Sequence, residues 1–278
     1  MTYANLKVSA IQREQYLVLS QLIAIAVVAV AAVGVWLIGL LFPSFFIYPY
    51  FKWSGWEAVW KFWPLFAWGV GLNLILMLLG SSKLPIRVND NRELLGWELV
   101  TSTLAGVWEE FGYRWAFICY AMIGIAVVNW VFGAGLGWTL VIGCVIGALV
   151  LWSEKEKGLA VLALGGAVLA VLFALYVNPI YWFYQFLVWV IHFTTLTLMD
   201  PVLYGGHQTL LIFGAVVANS WFRDGHKYQG PLGLVNSWYA GMVLLYATVI
   251  YGLWTAVVVH ALYDIVISVL RFVLQKTR

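Results

Sequence analysis

Long apolar segments, separated by short polar or glycine- and proline-containing turns, dominate the chain. A transmembrane helix needs about 20 predominantly apolar residues to cross the hydrocarbon core of a bilayer. The pattern predicts apolar helices at roughly 16–41, 62–80, 104–132, 136–152, 159–177, 180–198, 208–223, 235–251 and 253–274. The predicted fold class is therefore all-α, a polytopic transmembrane helical bundle of eight or nine helices.

Basic residues at both ends indicate how the bundle is oriented. Lys7 and Arg13 favour a cytoplasmic N-terminus, and Arg271, Lys276 and Arg278 favour a cytoplasmic C-terminus. Nine crossings would put the two ends on opposite sides of the membrane. We therefore expect about eight crossings, with one segment re-entrant, short or merged, and the sequence leaves open which one.

The first apolar segment is too long for a signal peptide and lacks a small-residue cleavage site, so we expect a membrane anchor. The sequence shows no internal repeat and no low-complexity tract. It predicts one integral membrane domain over 1–278.

Composition supports the membrane assignment. The chain is 64% hydrophobic and only 10% charged, whereas soluble domains carry about 25% charged residues. The 17 Trp and 15 Tyr residues fit aromatic belts at the two membrane interfaces. No basic run with interleaved aromatic residues suggests nucleic acid as a partner. Cys119 and Cys144 lie in apolar segments, and we expect them to be packing residues.

The segment 85–103 is more polar than its neighbours. In "VNDNRELLGWELV", Asp90 followed three residues later by Glu93 is a capping-box pattern for a helix N-terminus. An interfacial helix leading into the next apolar segment is one interpretation. An ordinary cytoplasmic loop is the other.

The stretch "GVWEEFGYRWAF" places three ionisable groups inside an apolar segment, where charge is costly. Glu110 and Arg114 are four residues apart and can pair on one helix face. Glu109 is rotated by about 100° from Glu110, so we expect it to point elsewhere, without a local cation. A buried, unpaired carboxylate suits a general acid or base. Alternatively, Glu109 bonds a neighbouring helix or faces water.

Two further segments carry histidines. His260 and Asp264, in "WTAVVVHALYDIVI", are four residues apart, so the carboxyl group can orient the imidazole. A helix-packing hydrogen bond is the alternative. His226, in "ANSWFRDGHKYQGPLG", follows Phe222 by four residues and by itself suggests an interfacial histidine.

Three other residues are weaker candidates. We expect His192 to be a core histidine bonded to a backbone carbonyl or a threonine. His207 and Asp200 lie near loop edges.

Together, three motifs resemble a known family pattern. "EEFGYR" matches Glu-Glu-x-x-x-Arg, "FRDGH" matches Phe-x-x-x-His, and "HALYD" matches His-x-x-x-Asn/Asp. In this order they are similar to the signature of the CaaX proteases and bacteriocin-processing enzymes, the Abi family. These are glutamate-dependent intramembrane endopeptidases, related to the Ras-converting CaaX endopeptidase. The resemblance covers about Val107 to Arg114 and Ala218 to Leu270, under half of the chain.

The resemblance implies a division of roles in a catalytic site. Glu109 would be the general base, and His226 would help it to activate a water. His260 and Asp264 would polarise the scissile carbonyl and hold the developing oxyanion. Since an ionised carboxylate repels an oxyanion, Asp264 would be protonated or would act by orienting His260.

The resemblance also implies supporting residues and a setting. Glu110 and Arg114 would brace the helix, and Phe222 would support the second motif. The family-like core would lie in 85–133 and 207–274, with extra helices in 135–200, because 117 residues separate Glu109 from His226. The substrate would be a membrane-associated peptide or protein, without a cofactor, in a multi-pass protein of a prokaryotic cell membrane surrounded by lipid.

Two other interpretations stay open. Glu109, His226 and His260 are chemically adequate zinc ligands, although the chain lacks the His-Glu-x-x-His spacing of a typical zinc protease. In the second interpretation, the chain is not an enzyme. It is a catalytically silent membrane scaffold or immunity-type protein, or a transporter that uses the carboxylates for proton coupling.

Overall fold

Apolar segments that lack internal prolines form long helices, and every regular element among the described residues is helical. The computed structural model describes residues 3–41, 51–78, 92–129, 131, 135–176, 179–204, 209–227 and 230–276. The helices are α1 (Tyr3–Leu41), α2 (Trp56–Trp60), α3 (Trp63–Leu78), α4 (Arg92–Glu109), α5 (Phe117–Asn129), α6 (Leu136–Ser153), α7 (Lys157–Tyr176), α8 (Pro179–Thr194), α9 (Asp200–Leu203), α10 (Thr209–Gly225), α11 (Gly230–Tyr246) and α12 (Leu253–Lys276). Two π-helical segments, Glu110–Ala116 and Ala247–Tyr251, join α4 to α5 and extend α11.

Three helices within the described residues are long and apolar enough to cross a membrane. They span Ile11–Leu41, Gly230–Tyr251 and Leu253–Leu274. Shorter apolar helices span Trp63–Ile75, Gly137–Ser153, Lys157–Leu172 and Phe183–Thr194. An all-α membrane protein is therefore the description that the structure supports.

Residues 92–129 form one continuous helical element. The segment 85–103 was expected to be either an interfacial helix that leads into the segment with the two glutamates or a loop, and its described part, from Arg92, is a helix that runs directly into that segment. The reason is packing, since α4 lies against α1 and α12 and no proline interrupts it. The proposed cap Asp90 lies outside the described residues.

The predicted helix 180–198 ends earlier, at Thr194. Leu196 and Thr197 adopt φ values of 50° and 67°, which an α-helix cannot contain. The turn that they form leads into the short helix α9.

Two glycines allow close helix crossings that set the positions of the site residues. A Cβ atom at Gly106 in α4 would lie 2.9 Å from the backbone nitrogen of Ala261 in α12. A Cβ atom at Gly214 in α10 would lie 2.9 Å from the carbonyl oxygen of Ile118 in α5. Small residues at crossings let backbones approach in membrane bundles. These crossings hold α12 and α10 against the continuous element 92–129.

Helices α6 and α7 form a hairpin whose members pack mainly against each other. Cys144 contributes to this contact, because its Sγ lies 3.4 Å from the position that a Cβ atom of Gly166 would take. Cys119 is buried in the core near α10. The hairpin occupies most of the region 135–200, in which extra helices were expected.

Candidate functional site

The two adjacent glutamates lie where the α-helix changes into a π-helix. Glu109 is the last residue of α4, and Glu110 is the first residue of the π-helical segment, which includes Arg114. Hydrogen bonds in a π-helix run from i to i+5, so the turn is wider, and such turns often occur at functional sites. The expected offset of about 100° assumed a regular α-helix. The widened turn changes the directions of the side chains after Glu109.

Three carboxyl groups surround the imidazole of His260. Glu110 Oε1 lies 2.8 Å from His260 Nδ1 and forms a hydrogen bond with it. Glu109 Oε2 lies 3.7 Å from His260 Nε2, and Asp264 Oδ2 lies 3.6 Å from the same nitrogen. The structure therefore brings together the first and third sequence motifs around His260.

The observed partners of His260 correct one expectation. Asp264 was predicted to orient the imidazole, but it lies beyond hydrogen-bond distance from the ring. The hydrogen-bonded carboxyl group is that of Glu110. A carboxylate that is four residues away on the same helix can reach only one side of the ring. The carboxylate of the facing helix reaches the other side at a shorter distance.

Glu109 was expected to point away from Glu110 and to have no local cation, with a bond to a neighbouring helix as the alternative. The two side chains do point to different nitrogens of one imidazole on α12, Glu109 to Nε2 and Glu110 to Nδ1. Glu110 approaches Arg114 as expected, with 3.6 Å between Oε1 and Nη1. Glu110 therefore has two positively charged or polar neighbours, and Glu109 faces His260 Nε2.

Exposure separates the two sides of the ring. The side chain of Glu110 is fully buried and that of His260 is 7% exposed. The side chains of Glu109 and Asp264 are 13% and 31% exposed. The site is thus closed at Nδ1 and opens at Nε2. Of the two glutamates, Glu109 is the one that a water or a substrate can reach.

The ring of Phe222 on α10 connects the second motif to the other two. The Arg114 guanidinium lies 4.0 Å from the ring centroid, a cation–π distance. The His226 ring lies at 4.6 Å, and the rings of Tyr113 and His260 pack edge-on at 5.6 and 6.1 Å. Phe222 is buried, so this cluster is fixed at the point where α10 approaches its end.

His226 follows the last residue of α10. Its Nδ1 lies 2.8 Å from the carbonyl oxygen of Phe222. Because a carbonyl only accepts, Nδ1 carries the proton in this contact. His226 is also close enough to Glu109 and Asp264 to interact electrostatically with both carboxyl groups. All four residues that the motifs nominate for chemistry therefore share one region.

Tyr113 is a site residue that the sequence reasoning missed. Its ring packs against Phe222 and Trp108, and its phenol group interacts electrostatically with Glu109. Tyr113 is four residues from Glu109, which places it on the same side of the helix. That spacing was the available signal.

His192 lies outside this region and has a different partner from the one expected. Its Nδ1 lies 2.7 Å from Oδ1 of Asp200, whereas a backbone carbonyl or a threonine was predicted. The turn through Leu196 and Thr197 brings Asp200 back towards α8, which the sequence pattern did not indicate. His207 lies outside the described residues.

A zinc site gains no support from the observed geometry. Among the described residues, no group of three or more His, Cys, Asp or Glu side chains is arranged to hold a metal ion.

Comparisons with protein-family models, with curated proteins and with solved structures find no match to the chain. Inferences about function therefore depend on the three motifs and on the geometry that brings them together.

Proposed function

We propose that the protein is a metal-independent, glutamate-type intramembrane endopeptidase. The observation that supports this best is the position of Glu109 and Asp264 at the open nitrogen of one buried imidazole, His260. Glu110 holds the opposite nitrogen. A general base, an orienting carboxylate and a potential oxyanion donor then lie around one point.

Charge balance suggests how protons are distributed in the site. Uncompensated charges are costly in an apolar bundle, so anions and cations should match in number. Arg114 balances Glu110, and a protonated His260 balances Glu109. Asp264 then carries a proton and can donate a hydrogen bond. This assignment removes the repulsion that an ionised Asp264 would exert on an oxyanion.

Peptide hydrolysis follows from this arrangement in two steps. Glu109 takes a proton from water, and the hydroxide oxygen forms a bond to the peptide carbonyl carbon. His260 Nε2–H and protonated Asp264 stabilise the resulting oxyanion. Glu109 then gives its proton to the amide nitrogen, and the carbon–nitrogen bond breaks to leave a carboxyl group and an amine. His226 helps to hold the water beside Glu109.

The proposed setting is a multi-pass protein with about eight crossings in a prokaryotic cell membrane. The shorter apolar helices are the candidates for the crossings beyond the three long ones. A site on such helices would act on a membrane-associated peptide or protein. A CaaX-type tail and a leader peptide both fit this class.

The cluster of three carboxyl groups also fits proton-coupled transport, and the same fold could serve as a silent scaffold or immunity protein. Cleavage products distinguish these functions. Membranes containing wild-type protein would be compared by peptidomics with membranes containing Glu109→Gln. Glu154→Gln, in the exposed turn between α6 and α7, is the matched carboxylate control.

The endopeptidase proposal expects truncated membrane proteins or released peptides with wild-type protein and with Glu154→Gln, and their absence with Glu109→Gln. Identical peptide profiles for all three proteins would contradict the endopeptidase proposal and favour transport or a silent scaffold.

A further inference from the structure

Asn219 is a buried polar residue on α10 that none of the three motifs includes. It is 3% exposed and lies three residues before Phe222. Its Nδ2 donates a hydrogen bond to the carbonyl oxygen of Trp238 in α11, at 3.1 Å. The carbonyl oxygen of Trp238 can only accept a hydrogen bond, so the amide of Asn219 must direct Nδ2, and not Oδ1, towards it. Oδ1 must therefore face away from Trp238.

The direction in which Oδ1 points is defined by Gly241, one turn after Trp238 on α11. A Cβ atom at Gly241 would overlap Asn219 Oδ1 and would lie 3.0 Å from Arg114 Nη2. The amide oxygen and the guanidinium group therefore border the same small space beside the glycine. Only glycine leaves room for both of them.

These two groups are complementary and both are buried. Asn219 Oδ1 and the two Nη atoms of Arg114 have no hydrogen-bond partner among the described residues. An acceptor without a donor and a donor without an acceptor, buried side by side, strongly favour contact with each other. Both groups border the same Cβ position at Gly241, so a hydrogen bond between them is within geometric reach.

Arg114 is the link between Asn219 and the candidate site. Phe222 covers one face of the Arg114 guanidinium. The N–H groups lie in the guanidinium plane, so their directions are set by polar neighbours and not by the ring. Nη1 lies 3.6 Å from Glu110, whose Oε1 holds His260 Nδ1. The orientation of Arg114 is thus transmitted through Glu110 to the imidazole.

We propose that Asn219 is a positioning residue that orients Arg114 and, through Glu110, fixes the His260 imidazole for catalysis. The catalytic consequence rests on the proposed endopeptidase function, whereas the effect on the imidazole does not. Asn219 touches neither the substrate nor the reacting atoms. Its contribution depends on one hydrogen-bond acceptor directed at Gly241.

Three substitutions isolate that acceptor. Asn219→Leu keeps a similar volume and removes both the acceptor and the Nδ2 donor to Trp238, whereas Asn219→Asp keeps an acceptor and loses only that donor. Gly241→Ala inserts a methyl group between Oδ1 and Arg114 Nη2. Gly143→Ala on α6 is the matched control, because a Cβ atom there meets nothing within 4 Å.

The primary readout is NMR of full-length protein in lipid nanodiscs with ¹⁵N-labelled histidine, in which the His260 signals are identified by their loss in His260→Gln. We expect displaced His260 Nδ1 signals in Asn219→Leu and Gly241→Ala, signals closer to the wild type in Asn219→Asp than in Asn219→Leu, and wild-type signals in Gly143→Ala. Once a cleaved peptide is known, kcat should fall by about 10- to 100-fold in the first two with KM unchanged.

Several outcomes would overturn the proposal. Unchanged His260 signals in folded Asn219→Leu would do so, as would signals in Asn219→Asp that are displaced as far as those in Asn219→Leu. Loss of the fold in both Asn219→Leu and Gly241→Ala would assign Asn219 to helix packing alone. Displaced His260 signals in Asn219→Leu and Gly241→Ala, together with a wild-type protein that cleaves no peptide, would instead refute the proposed function and leave the positioning role intact.

Discussion

Glu110 Oε1 lies 2.8 Å from Nδ1 of His260, although 150 residues separate the two in the sequence. The contact joins the start of a π-helical turn to the middle of α12. It closes one side of the imidazole and leaves Nε2 facing Glu109 and Asp264. The two adjacent glutamates therefore have different surroundings, since Glu110 lies on the closed side of the ring and Glu109 on the open side.

The first prediction concerns that difference. Glu110→Ala should lower the free energy of unfolding by about 3–5 kcal/mol, because it leaves the buried Arg114 charge without a partner. Glu109→Gln should keep near wild-type stability, since the amide preserves the shape of the side chain. Thermal unfolding in detergent, followed by circular dichroism, measures both. Equal destabilisation by the two substitutions would contradict this structural difference between Glu109 and Glu110.

The second prediction tests the crossing of α4 and α12. Gly106→Ala should destabilise the protein by about 1–3 kcal/mol and impair cleavage, because the methyl group meets the backbone of Ala261. Gly124→Ala, on α5, is the control. A Cβ atom there meets nothing within 4 Å, so it should be neutral or slightly stabilising. Denaturation curves that rank the two variants in the opposite order would refute the role of this crossing.

The third prediction concerns the Phe222 ring. Phe222→Leu should cost about 0.5–2 kcal/mol of stability through the lost cation–π contact with Arg114, and it should also weaken cleavage. Phe193→Leu is the control, since that ring is 70% exposed and lies on α8. Parallel unfolding and cleavage assays compare them. A Phe222→Leu protein with wild-type stability and cleavage would exclude a supporting role for the ring.

The fourth prediction separates His226, which lies in the candidate site, from His192, which lies outside it. His226→Ala should abolish cleavage and leave the protein folded, because His226 interacts with Glu109 and Asp264. His192→Ala should retain cleavage, since its partner is Asp200, outside the site. Product formation and elution profile are measured for both. Cleavage that survives His226→Ala would remove this residue from the mechanism.

The fifth prediction concerns metal ions. Purified protein should keep its cleavage rate in a strong chelator, and metal analysis should find less than one zinc per chain. A zinc enzyme needs its metal to activate water. Activity that is lost in chelator and restored by added zinc would replace the metal-free mechanism with the zinc alternative.

The helices were predictable because uninterrupted apolar segments determine them. The predicted start of the last helix at Leu253 coincides with the observed one. For the segment 85–103 the sequence left a helix and a loop open. The packing of α4 against α1 and α12 explains why its described part is helical.

Sequence reasoning predicted which residues lie in the site better than it predicted which of them contact each other. Regular spacing of four residues indicated the contact between Glu110 and Arg114, but it also suggested Asp264 as the orienting partner of His260. The true hydrogen-bond partner is on another helix, and no local spacing reveals it. The π-helical turn at Glu110 likewise leaves no sequence signature that a periodic pattern can detect.

Asn219 shows a related limit. A single asparagine in "VVANSWF" resembles an ordinary helix residue. Its relation to Arg114 depends on the absence of a side chain at Gly241, on a third element of the structure. Tertiary packing of α10 on α11 creates that relation.

The central claim, that Glu109 activates water, is tested most directly by the cleavage rate of Glu109→Gln in proteoliposomes. The substrate is the peptide that peptidomics identifies, and Glu154→Gln serves as the control. We predict a fall in kcat of about 100- to 10,000-fold for Glu109→Gln, with the melting temperature and KM close to those of the wild type. A folded Glu109→Gln protein that cleaves at the wild-type rate would contradict the account.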